Sequence, residues 1–111
     1  MANNFKVSVV AGVGTGATQA YVCPSSTETT IIGLSLANIS TSQITVSAHV
    51  SIGDAGNGVA RLVKDAPIPV GSSLVVVGGD QKLVLNAADH VMITSSEASS
   101  VDVVTSYLEI S

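Results

Sequence analysis

The chain has 111 residues, a formal net charge of -4, 46% hydrophobic and only 11% charged residues, a length that holds one domain with a core needing no metal or disulfide. Four basic residues, Lys6, Arg61, Lys64 and Lys82, are too sparse to track a phosphate backbone, and Phe5, Tyr21 and Tyr107 form no base-stacking platform, so nucleic acid is not an expected partner. No run approaches the ~18 apolar residues of a membrane helix, and the charge deficit points to surfaces covered by other protein copies.

The first strand-like run is "FKVSVV", residues 5–10, followed by Gly12, Gly14 and Gly16. A dinucleotide fingerprint needs G-x-G-x-x-G, a helix facing the pyrophosphate and an acidic residue about twenty positions on. Here the spacing is G-x-G-x-G, and the following "ATQAYVCPSS" has no helical period and meets Pro24. The segment reads as a hairpin or a subunit-contacting loop, with residues 1–16 as an extended or flexible N-terminal arm and Val10 and Val13 as candidate contacts. With only Lys6 ahead of its short apolar run, it is a poor signal peptide.

"AYVC" follows, carrying the single cysteine, Cys23, which excludes an internal disulfide and reads as a small buried apolar residue. In "TIIGLSLANI", strict alternation sets Ile31, Ala37 and Ile39 opposite Ile32, Leu34 and Leu36, so both faces are apolar. The sequon "NIS" at Asn38 falls mid-strand and reads as a chance match. "QITVSAHVSI" alternates without a break, Ile44, Val46, Ala48, Val50 and Ile52 against Thr45, Ser47, His49 and Ser51, the signature of a half-buried strand.

"VARLVK", "SLVVV", "KLVLN", "HVMIT" and "VDVVTSYLEI" complete nine runs rich in β-branched residues, bounded by turn formers such as "GDAGNG", "GGDQ" and "NAADH". Asn57 and Gly58 fit a tight turn. Pro67 and Pro69 cannot donate to a ladder, so "DAPIPVGSS" is expected at a sheet edge or between sheets.

Nine short strands predict an all-β antiparallel β-sandwich of one domain, residues 1–111, either jelly-roll or immunoglobulin-like. A two-layer sandwich buries one face of each sheet, and "TIIGLSLANI", "SLVVV" and "VDVVTSYLEI" carry apolar residues on two. The surplus is expected to lie against neighbouring subunits, with Val10, Val13, Ile31, Ile39, Pro67, Pro69, Val75, Val77 and Val104 as candidate interface residues.

Nothing in the spacing suggests catalysis, a cofactor or a metal. His49 and His90 are the only histidines, and although His90 follows Asp89, no serine sits in a nucleophile-elbow context. Asp54 and Asn57 in "GDAGNG" lack calcium-loop spacing, and two histidines without nearby acids or thiols make no zinc site. Asp54, Asp65, Asp80, Asp89 and Glu97 read as a solvated acidic rim.

The C-terminal half contains "APIPVGSSLVVV", a Lys-Leu-x-Leu strand in "KLVLN", an acidic turn and a closing "SYLEIS". In these phrases it resembles small β-rich virion proteins of tailed bacteriophages, including those that infect cyanobacteria. "TTIIGLSLANISTSQITVSAHV" looks like the family's middle strands, so the likeness covers about residues 28 to 111. It implies a structural component of the virion, assembled in the host cytoplasm, without catalytic residues or cofactor. The expected role is a capsid decoration or cement protein, a homotrimer or other homo-oligomer bound to the major capsid protein. The alternative is a tail, neck or baseplate/fibre-attachment component, and a remoter one a carbohydrate-binding module for host recognition.

Overall fold

The structure, a computed structural model, describes residues 3–52, 59–78 and 82–110. These form nine strands: β1 (Asn3–Val13), β2 (Thr18–Val22), β3 (Glu28–Asn38), β4 (Ile44–Ser51), β5 (Val59–Ile68), β6 (Ser73–Val77), β7 (Leu83–Leu85), β8 (His90–Ser95) and β9 (Val101–Ile110). Each matches one of the nine runs read from the sequence. The predicted turn at 53–58, with Asp54, Asn57 and Gly58, lies outside the described residues, as do residues 79–81 of "GGDQ".

The strands make two antiparallel sheets. Sheet A runs β1-β9-β3-β6, with β7 also paired to β3, and sheet B runs β2-β8-β4-β5. The two short strands share one flank of β3: β7 pairs at Thr29–Ile31 and β6 at Leu34–Ala37. With β6 and β7 counted as one position, this is the strand order of a jelly roll, which decides between the two sandwich types.

The core follows from period-two patterning. Along β4, Ile44, Val46, Ala48 and Val50 are buried while Thr45, Ser47 and His49 are half-exposed. They pack with Val91 and Ile93 of β8 and Ile68 of β5 against Leu34, Leu36, Val101, Val103, Val77 and Leu85 of sheet A.

Strict alternation fails in β3. Ile31 pairs with Tyr107 but Gly33 pairs with Ser106, so Ile32 and Gly33 together oppose one step of β9. This bulge inserts one residue and inverts the parity, bringing Ile31 to the same inner face as Leu34 and Leu36. Ile31, expected at an interface, is a core residue. Val13 and Val77 are corrected in the same way, since both are almost fully buried where the sheets close on each other.

The expected arm is also corrected. Residues 3–13 are β1, paired with β9 from Asn3 opposite Ile110 to Val13 opposite Val101. The glycines at its C-terminal end and just beyond build the corner where the chain leaves sheet A for sheet B. Gly12 takes a positive φ of 71° beside the register shift between Val10 and Val13, and its N–H donates to Asp102 Oδ1 at 3.0 Å. A Cβ on Gly14 would stand 3.3 Å from the backbone of Ala98 and Ser99. Ser100 N donates to Val13 O and Ser95 N to Gly14 O, clamping the corner onto the 95–100 turn. The glycines therefore serve chain direction and close approach.

Candidate functional site

The two outer faces differ in kind. On sheet B, hydrogen-bonded neighbours give the outward row Gln19, Met92, His49, Arg61 and the further row Val22, His90, Ser51, Val59, a mainly polar surface whose exposed valines, Val22 and Val59, sit on the two edge strands. On sheet A the corresponding row is Val9, Val104, Ser35, Val75. A second row on sheet A reads Phe5, Leu108, Thr30, Val84. Between them Val7 lies opposite Ser106, which lies opposite Gly33.

Exposure makes the contrast quantitative. Phe5 is 76% exposed, Val9 65%, Val75 64% and Val84 63%, with Val7 and Val104 also exposed. Asp102 and Glu28 stand at the two ends of this face, opposite Ala37 and Ile110, and no charged residue occupies the outward positions of the rows between them. The small residues Gly33, Ser35 and Ser106 line the middle, flanked by Phe5, Val7 and Val9 on β1 and by Val75 and Val84 on the far strands. An apolar face of this breadth, with polar groups at its ends, is the usual form of a protein-binding surface.

The strands whose sequences read as two-sided, "TIIGLSLANI", "SLVVV" and "VDVVTSYLEI", are β3, β6 and β9, all of sheet A. Of the expected interface residues, Val75 and Val104 lie on this face. Val10 is half-buried against the core, and Ile39 is exposed in the turn after β3. Pro67 and Pro69 are exposed at and beyond the end of β5 in sheet B. Phe5, Val7, Val9 and Val84 were missed. Their signal was present, since Phe5, Val7 and Val9 alternate with Lys6, Ser8 and Val10, but reading the segment as an arm left its period unused.

The polar groups inside the sandwich form a latch at one end. Tyr21 O–H donates to Glu109 Oε2 at 2.6 Å and lies 2.9 Å from Thr29 Oγ1, and Cys23 Sγ lies 3.2 Å from the same threonine oxygen. Lys6 Nζ reaches Glu109 Oε1 at 3.0 Å, tying β1 to β9. The hydrogen bond from Tyr21 holds the Glu109 carboxyl below its ordinary value, with Lys6 adding to it and burial opposing it. Burial and Glu109 together push the Tyr21 phenol up. The rings of Tyr21 and Tyr107 stack tilted, with centroids 4.2 Å apart. Cys23 is buried.

The remaining candidates resolve into local bonds. Asp89 Oδ2 accepts from Asn86 N at 2.9 Å, while His90 Nδ1 lies 3.1 Å from Ala88 O, so neighbours in sequence hold separate parts of one turn. Burial, with Arg61 and His90 nearby, pulls His49 below the ordinary histidine value. Among the described residues no group of three metal-ligating side chains forms. Asn38 is buried, donates to Ser42 O and Ile68 O and accepts from Ser40, so the sequon's amide is spent inside the fold.

No family model and no curated protein sequence matches the chain. Among solved structures it is similar in fold to a chain from "Bacillus endospore appendages form a novel family of disulfide-linked pili". The TM-score is 0.56 at 15% identity, with 98% of this chain and 88% of that chain covered. At that identity the likeness is one of fold.

Proposed function

We propose that this chain is a non-enzymatic structural subunit of a bacteriophage particle, a capsid decoration or cement protein that adheres to the major capsid protein shell through the outer face of sheet A. The observation that carries the reading is the difference between the two outer faces: β1, β9, β3, β6 and β7 leave Phe5, Val7, Val9, Val75, Val84 and Val104 in water, whereas sheet B presents a mainly polar surface. A face of that kind lowers its free energy by burial, roughly 25 cal/mol per Å² of apolar area removed from water. The phrases of residues 28 to 111 that resemble virion proteins support a phage particle as the setting.

A second reading, a tail, neck or fibre-attachment component, is favoured by the fold it shares with a chain from disulfide-linked pili, appendages rather than shells. A disulfide link is not open to this chain in its folded form, because its one cysteine is buried beneath Thr27, Thr29 and Leu85. A carbohydrate-binding role is less favoured, since sugar sites present aromatic rings and Tyr21 and Tyr107 are interior, leaving Phe5 as the exposed ring.

The test is a pull-down of the purified chain on empty capsids and on isolated tails, with copy number per particle from gel densitometry. Binding to capsids at high copy number supports the cement role. Binding to tails alone at low copy number supports the second reading, and binding to neither overturns both.

A further inference from the structure

A sandwich has four sheet edges, and three of them here are blunted. The β5 edge carries two register irregularities against β4, a residue of positive φ at Asp65, the charges of Arg61, Lys64 and Asp65, and Pro67. The β2 edge is five residues long with a register shift between Gln19 and Tyr21. The far edge of sheet A is divided between β6, five residues, and β7, three. These are the devices by which natural sheets prevent stray pairing.

The β1 edge has none of them along most of its length. It runs for eleven residues, its irregularity is confined to the Val10–Val13 end, and from Asn3 to Val13 it contains no proline and one charge, Lys6. An unpaired edge of this length needs a partner strand of similar length. Among the described strands not already paired on both flanks, only β5 approaches it, and β5 is irregular.

We infer that β1 pairs antiparallel with β1 of a second copy of this chain, joining two A sheets into one. The inference rests on the reading of the chain as an assembly subunit and names the contact between subunits. Parity decides the register. Phe5, Val7 and Val9 point outward, so the joined sheet keeps one continuous apolar face only if odd positions meet odd positions. A two-fold axis at Lys6 would set like charges opposite each other, which is unfavourable. An axis at Val7 sets Phe5 opposite Val9 of the second copy, Lys6 opposite Ser8 and the two Val7 side chains opposite each other, whereas an axis at Ser8 would carry the pairing through the irregular Val10–Val13 end. The Val7 axis is therefore the register inferred, and it doubles the width of the outer face.

The area is consistent with a contact made during assembly. A strand of this length is about 36 Å long, and the side formed by β1 above β2 spans two sheets roughly 10 Å apart. In projection that side is about 360 Å², well below the ~800 Å² per partner of a standard interface. Dimerisation is therefore expected to depend on concentration.

Sedimentation velocity on the full chain tests this, with the variants Val7→Lys and Val7→Glu alone and mixed in equal amounts. The expected result is a wild-type mass that doubles with rising concentration, monomers for each variant alone, and recovery of the dimer on mixing. Unchanged circular dichroism spectra show that the variants fold, and concentration-dependent protection of β1 amides from hydrogen exchange gives a second readout on the wild type. A wild-type chain that stays monomeric, or dimers that persist in Val7→Lys alone, overturns the β1 contact. Pull-down of the wild-type chain on particles separates this from the functional reading: a chain that binds particles yet stays monomeric in sedimentation keeps adhesion and loses the edge contact, whereas one that dimerises without binding particles keeps the edge contact and loses adhesion.

Discussion

Val9 on β1 lies directly opposite Val104 on β9, and both side chains point away from the core into water. Such a pair supports the strands by a few tenths to about 1 kcal/mol, a contribution that threonines would supply with less exposed apolar surface. The row continues through Ser35 to Val75. It forms a surface that the fold of the single chain leaves exposed.

Position on the sheet separates folding from adhesion. Val46→Asp puts an unpaired charge at a buried site of β4 and is expected to cost more than about 4 kcal/mol, enough to prevent folding. Val75→Asp, on the exposed face, is expected to stay within about 0.5 kcal/mol of wild type while losing particle binding. Urea denaturation and the pull-down read the two effects separately.

Glu109 gives the fold an acid limit. Its folded pKa lies below the ordinary value of 4.5, so its contribution is fully present above that value and is lost as pH falls through the lower folded one. Melting temperature is expected to fall on acidification below about pH 4.5, and Glu109→Gln, which can still accept from Tyr21, to weaken that fall. A thermal melt series on both proteins measures the difference.

Asn38 joins the β3–β4 turn to the end of β5 through four hydrogen bonds, two donated by Nδ2 and two accepted by Oδ1, all 2.8 or 2.9 Å. Asn38→Ala leaves the carbonyl of Ile68 without that donor and is expected to cost about 2 to 3 kcal/mol. Chemical denaturation measures it.

Thr105 is a place where the protein is less stable than its shape allows. Its hydroxyl is buried on β9 with no hydrogen-bond partner among the described residues. Thr105→Val keeps the shape and removes the unsatisfied group, and is expected to stabilise by about 1 kcal/mol, seen as a raised melting temperature.

Much of this was legible in the sequence for a physical reason. The nine strands follow from period-two runs and turn residues, and β4 displays its inner and outer faces from Ile44 to Val50; at its end Ser51, read as outward, is buried and Ile52, read as inward, is exposed. What stayed hidden depends on events between strands. The bulge at Ile32 and Gly33 reverses which residues of β3 are buried; the isolated Gly33 within the strand is its one local signal, and alternation alone does not show it. Likewise, β1 looked like an arm because the glycines after Val10 suggested freedom. In the fold Gly12 and Gly14 turn the chain tightly while β1 itself is held along β9. That β3, β6 and β9 would share one sheet was a matter of topology, so the sequence disclosed the apolar surplus but not its concentration on one face.

Electron cryomicroscopy of a phage particle decorated with the chain, the assembly proposed above, tests the central claim most directly, by the orientation of the sandwich. The account predicts that Val9, Val75, Val84 and Val104 of sheet A are covered by neighbouring protein while Gln19, His49 and Arg61 of sheet B face solvent. Density showing sheet A open to solvent and sheet B against the neighbours would contradict it.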